Sequence, residues 1–157
     1  MDNQSAIYQE IITQTSDFTH QKDVSSVATM QFVCEVIHSK LAFYDWVGFY
    51  LCSKEEKDML ILAPYIGEAT DHLKIPFGKG ICGQAAVNQE TFLIDDVTKE
   101  DNYIACSIHV KSEIVVPMFK NGTMIGQIDI DSSKINAFSK DDQHFLEKIC
   151  QIVAEKF

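Results

Sequence analysis

Ser112-Glu113-Ile114-Val115-Val116-Pro117-Met118-Phe119, then Lys120-Asn121-Gly122, then Thr123-Met124-Ile125-Gly126-Gln127-Ile128-Asp129-Ile130 is the stretch that decides the fold. Two runs rich in branched residues flank an Asn-Gly pair, and that pair favours the tight turn of a β-hairpin. In the second run Ile128 and Ile130 alternate with Asp129 and the following Asp131. Side chains alternate across a strand, so the two acids share one face and the two isoleucines the other. Glu113 opens the first run. Counting outward from the Asn-Gly turn sets residue 113 opposite residue 130, alongside 129–131. Three carboxylates then gather at one end of one hairpin. Either they form a solvated acidic edge, or their repulsion is relieved by an ammonium group, a metal ion or a shared proton.

Upstream of the hairpin, Trp46-Val47-Gly48-Phe49-Tyr50-Leu51 is aromatic and branched, as strands are, and Cys52 closes it. Lys54 to Asp58 is a polar turn, and Met59-Leu60-Ile61-Leu62-Ala63 is the expected partner strand. Phe77 to Gly83 is a glycine-rich bend that runs into a short helix at Gln84-Ala85-Ala86-Val87, and Thr91 to Ile94 is a brief strand. Asp95 to about Lys111 is a polar loop, long enough to suggest function. Both ends of the chain are helical by periodicity. Ile7, Ile11, Ile12 and Phe18 suit one helix, and Val24 to His38 another, with Cys34 on its apolar stripe. A last helix starts near Ser139 as N-cap, with Phe145, Ile149, Ile152 and Val153 turned inward and Cys150 beside them. Terminal helices around a largely antiparallel set of strands make an α+β fold, expected as one domain over residues 1–157.

The 46% apolar content suits a packed core. Twenty-three acids against 13 bases give a net charge of −10, which repels phosphate backbones and anionic lipid, so neither nucleic acid nor a membrane is an expected partner. No run of about 18 apolar residues is present, and the N-terminus lacks the pattern of a secretory signal, so a cytoplasmic location is expected. Five cysteines with no close CxxC pair do not suggest a disulfide framework or a zinc motif, and no metal or cofactor is expected.

Two of these cysteines stand outside the regular apolar pattern. Cys82 lies in the glycine-rich bend at a helix start. There it either packs under the bend or has its thiolate favoured by the helix dipole. Cys106 lies in the long polar loop near His109 and Lys111, either as an exposed bystander or as a thiol activated by those cations. Trp46 and Tyr50, four residues apart on one strand face, are either core or the wall of a pocket.

Together these segments resemble the free methionine-(R)-sulfoxide reductases, a branch of the GAF-domain superfamily. The resemblance is carried by Asp45 to Leu51, Gly78-Lys79-Gly80-Ile81-Cys82-Gly83-Gln84-Ala85, Ile104-Ala105-Cys106, Ser112 to Pro117 and Gly126 to Ser132. It implies about six antiparallel strands flanked by N- and C-terminal helices, often in a homodimer. It also implies Cys106 as nucleophile and Glu113 as proton donor, its pKa raised by the neighbouring acids; with His72 at the place of the family's usual resolving cysteine, Cys82 is the motif thiol left to capture the sulfenic acid. Trp46, Tyr50, Asp129 and Asp131 would form the substrate pocket. The backbone at Gly80, Ile81 and Gly83 would take the carboxylate of free methionine sulfoxide. A thioredoxin-like reductant would restore the thiols. The family usually has a further cysteine ten residues before Cys82, where this chain has His72. A non-catalytic GAF ligand sensor is the alternative, although sensors are usually fused to an output domain.

Overall fold

A computed structural model describes residues 2–104 and 108–157. Helices α1 (Asn3–Thr19) and α2 (Ser26–Lys40) come first, then strands β1 (Trp46–Cys52), β2 (Met59–Ile66) and β3 (Lys74–Pro76). Helix α3 (Gly80–Asn88), strand β4 (Phe92–Ile94) and a 3-10 turn at Val97–Lys99 follow. Strands β5 (Ser112–Lys120) and β6 (Thr123–Ser132) and helix α4 (Lys140–Ala154) complete the chain. The strands form one antiparallel sheet in the order β3-β2-β1-β6-β5-β4. The expected α+β architecture of six strands with helices at both ends is present.

Several local expectations need correction. Helix α2 begins at Ser26 rather than Val24, because the Ser25 side chain accepts from the Ala28 amide and so caps it. Helix α3 takes in Gly80 to Gly83, which the sequence suggested as a bend. Strand β3 carries no alternating pattern of its own and exists by pairing with β2. The last helix starts where expected: Ser139 caps α4 and Asp142 bonds back to the Ser139 amide.

The most consequential difference lies in the β5–β6 hairpin. Asn121 and Gly122 both have positive φ, as the two-residue turn requires. Phe119 faces Met124, but Met118 faces Gly126, so Ile125 is an extra residue in β6. This bulge shifts the register by one and sets Glu113 opposite Asp131 rather than residue 130. The one-residue slip is what brings Glu113 onto the same face as Asp129 and Asp131. Through β1, Trp46 also faces Asp131, Gly48 faces Asp129 and Tyr50 faces Gln127.

The two faces of the sheet bury different things. Val47, Phe49, Ile114, Val116, Met118, Ile128 and Ile130 pack with α1, α2 and α4 into one apolar core. The other face carries Trp46, Tyr50 and Val115, covered by Ile81, Cys82, Ala85 and Ala86 of α3. Asp142 joins three elements on the first side. It accepts hydrogen bonds from the Tyr8 hydroxyl of α1 and the Tyr44 hydroxyl ahead of β1, besides closing the α4 cap.

Candidate active site

The α3 side of the sheet gathers most of the chemistry-bearing residues. Glu113, Asp129 and Asp131 are buried there together, with Cys82 over them on the first turn of α3. The Cys82 thiol lies 3.9 Å from Glu113 Oε2, to which it donates. Ligand-type atoms of Cys82, Glu113 and Asp129 all lie within 4.8 Å of one another. The cleft around them is also lined by His72, Ile75, Lys79, Gly80, Ile81 and Ile104, and its free volume is about 10 Å³. That space is about one water's width among the described residues.

Electrostatics decide between the two readings of Cys82. A helix N-terminus by itself would acidify a thiol. Instead, burial pushes the Cys82 thiol well above its usual range, and the carboxyls of Asp129, Glu113 and Asp131 push it further. Full enclosure removes the water that would stabilise a thiolate, and nearby negative charge outweighs the helix dipole. Cys82 is therefore a neutral thiol at neutral pH. Burial raises Asp129, against hydrogen bonds from Glu113 and Cys82 that favour its charged form. Asp131 is raised well above the carboxylate range by burial and by the charge of Asp129. Asp129 Oδ1 and Asp131 Oδ1 are buried without a hydrogen-bond partner among the described residues.

Other expected residues are more dispersed. Asp131 and Trp46 line a neighbouring cleft with Glu68, His109 and Val110. The Trp46 indole donates to the Glu68 carbonyl at 3.1 Å and stacks on Tyr65. Tyr50 is wholly buried beneath, outside both clefts, with its hydroxyl on the His72 carbonyl at 3.0 Å. Of the backbone groups expected to hold a carboxylate, Gly80 N–H donates to Asn102 Oδ1 and Gly83 N–H to the Lys79 carbonyl. The N-cap residue Lys79 makes no side-chain cap bond, and with Gly80 N–H on Asn102 the Ile81 and Cys82 amides are the anion-seeking part of the first turn of α3. Gly80 has φ +64, and Ile104 packs against its α-carbon, so a side chain there would be strained and crowded. Cys106 lies outside the described residues.

Sequence reasoning missed Asn102. Its amide bridges the glycine bend by accepting from Gly80 N–H and donating to the Gly78 carbonyl, while Gln84 donates to its backbone carbonyl. These bonds dock the polar loop onto the start of α3, a few residues before Cys106. No local pattern marked Asn102, because its partners lie 22 and 24 residues away. Gln127 was also unremarked, although it is fully buried on the site face with both amide atoms unpartnered among the described residues.

Residues 24–155 match the GAF domain family. The chain is 34% identical over 127 residues to the free methionine-R-sulfoxide reductase of Escherichia coli, spanning 81% of this chain and 74% of that protein. It is 43% identical over 110 residues to the Saccharomyces cerevisiae enzyme of the same name, spanning 69% of this chain and 61% of that one. The chain belongs to the GAF-domain family of free methionine-R-sulfoxide reductases. A solved member of this family, the Neisseria meningitidis reductase in complex with its substrate, superposes with a TM-score of 0.92 at 34% identity, covering 100% of this chain and 92% of that one. Family membership makes the buried thiol-and-carboxylate cluster the natural place to look for chemistry. Among the described residues no helix is long and apolar enough to cross a membrane.

Proposed function

We propose that this chain reduces free methionine-R-sulfoxide to methionine in a reducing cytoplasm, with Cys106 as the attacking thiol. The observation that supports this most is the enclosed set of three carboxylates with two unpartnered oxygens beside a thiol. Buried carboxylate oxygens without partners are costly unless a cation arrives, and the ammonium of a free amino acid is such a cation. Asp129 and Asp131 take the ammonium, and the Ile81 and Cys82 amides take the carboxylate. Trp46 walls the methyl group, with Tyr50 buried behind it as support. A pocket that holds both charged termini of one amino acid rejects methionine sulfoxide within a peptide.

The Cys106 thiolate attacks the sulfoxide sulfur while Glu113 protonates the oxygen, which passes to cysteine; methionine leaves and Cys106 becomes a sulfenic acid. Glu113 is then a carboxylate 3.9 Å from the neutral Cys82 thiol. It relays that proton to the departing hydroxyl as Cys82 attacks the sulfenic sulfur, giving a Cys82–Cys106 disulfide and water, and is itself reprotonated from solvent before the next cycle. One carboxyl thus serves first as acid and then as base. A thioredoxin-like dithiol returns both cysteines to thiols at the cost of its own oxidation. With His72 lining the cleft, Cys82 is the internal thiol nearest the reaction.

The test is reduction of the two methionine sulfoxide epimers and of N-acetylmethionine sulfoxide, with dithiothreitol as reductant. Loss of the free R epimer alone is expected. Equal use of the acetylated compound would remove the ammonium role of the aspartates, and no turnover of any substrate would overturn the activity.

A further inference from the structure

The cluster of Cys82, Glu113 and Asp129 also has the composition of a metal site, although its members come from α3, β5 and β6 and show no linear motif. All three side chains are buried, from 1% to 5% exposed, and their donor atoms lie within 4.8 Å of one another. A tetrahedral zinc ion with oxygens at about 2.0 Å and sulfur at about 2.3 Å needs ligand separations of about 3.3–3.5 Å. Small torsional adjustments therefore close the set. A second observation points to a cation: Asp129 Oδ1 is buried without a partner, and so is Asp131 Oδ1 two residues along the same strand face. The sulfur decides which cation. Magnesium and calcium favour six or more oxygens, whereas one sulfur with two carboxylates suits zinc or cobalt.

We propose that this cleft binds one thiophilic divalent cation of the zinc class through Cys82 Sγ, Glu113 and Asp129, and that the bound ion blocks the cleft. Binding replaces the thiol proton: Cys–SH and M²⁺ give a metal thiolate and a released proton. The carboxyls that disfavour a bare thiolate become ligands to the same ion. A fourth ligand would come from water in the cleft, which His72 also lines. The ion occupies Asp129 and Glu113 as carboxylate ligands, displacing any proton Glu113 carries as a further released proton, and ties up Cys82, so it competes with substrate. That competition rests on the cleft being the substrate site; the metal site itself does not.

The experiment is a titration of the reduced, chelator-stripped protein with Co²⁺, read by the thiolate-to-cobalt charge-transfer band in the near ultraviolet. One equivalent should saturate the band. Cys82→Ser should abolish it, Cys106→Ser should retain it, and Asp129→Asn should weaken affinity at least about tenfold. X-ray absorption of the zinc-loaded unmodified protein should show one sulfur among oxygen and nitrogen ligands, a result that does not depend on any variant folding. No band, a band that survives Cys82→Ser, or a zinc shell without sulfur overturns the site. In the Cys106→Ser protein, which cannot turn over, methionine-R-sulfoxide should displace cobalt. An unchanged band at saturating substrate overturns the competition and the substrate assignment of the cleft while leaving the metal site standing.

Discussion

The two faces of the central sheet are buried to nearly the same depth and differ in what they do with it. On the side of α1, α2 and α4, Val47, Phe49, Ile114, Val116, Ile128 and Ile130 are at most 1% exposed, and all are apolar. On the side of α3, Trp46, Tyr50, Glu113, Gln127, Asp129 and Asp131 are at most 5% exposed, and three of the six are acids. The two sets alternate along the same three strands, so backbone geometry and propensity cannot distinguish them. The first face gains free energy by removing apolar surface from water. The second carries four of the six buried side-chain atoms that lack partners among the described residues. The other two are hydroxyls of Thr15 and Thr19 on α1, so among the described strand residues the unsatisfied polar atoms all lie on the α3 face, the pattern of a face reserved for a ligand.

If the faces divide the work in this way, substitutions should separate activity from stability. The largest effect is expected at Cys106: Cys106→Ser should reduce single-turnover consumption of methionine-R-sulfoxide to background, because a hydroxyl is a far weaker nucleophile than a thiolate, with the thermal midpoint little changed. Measurable turnover near that of the parent would remove Cys106 from the mechanism. On the opposite face, Phe49→Ala should cost about 3–5 kcal/mol of stability, seen in denaturant titration. The molecules that remain folded should keep near-normal kinetics, and a matching loss of kcat would show that the faces are not independent. Glu113→Gln should lower the rate of the chemical step by about 10²–10⁴ while leaving the fold intact. A variant that only raises KM would make Glu113 a binding group rather than a proton donor.

Much of this division was legible in sequence. The alternation Ile128-Asp129-Ile130-Asp131 and the Asn121-Gly122 turn specify a hairpin with one apolar and one acidic face, and both are local signals. What the pattern could not carry was the bulge at Ile125. Without it, simple counting sets Glu113 opposite the wrong residue, on the face away from the two aspartates. Bulges depend on how a strand twists against both neighbours, here β1 and β5, and leave little trace in a single strand's composition. The choice between the two readings of Cys82 was out of reach for a related reason. Its place at a helix start is local information and favours a thiolate, whereas the three carboxyls that oppose it arrive from β5 and β6. Asn102 was illegible because its role consists of contacts made at a distance along the chain.

The smallest and sharpest comparison is Asp131→Asn, where the site face is asked to give up its reserve. Asp131 is raised well above the ordinary carboxylate range in the folded protein, by burial first and then by the charge of Asp129. The folded state therefore holds this proton more tightly than the unfolded chain does. Its contribution to stability is fully present below the unfolded value of about 3.9 and is lost as pH rises through the raised folded value. At neutral pH the buried carboxyl is consequently a liability that asparagine, nearly isosteric and unable to ionise, removes. Asp131→Asn should raise the thermal midpoint at pH 7 and do so much less at pH 4. The same substitution should weaken substrate binding by about 10–100-fold, the loss expected for one charge-assisted hydrogen bond. A melting series across that pH range decides it. A stability difference that does not grow with pH would mean that Asp131 is not held as a costly carboxyl, and unchanged substrate affinity would mean that its oxygen is not kept for the ammonium.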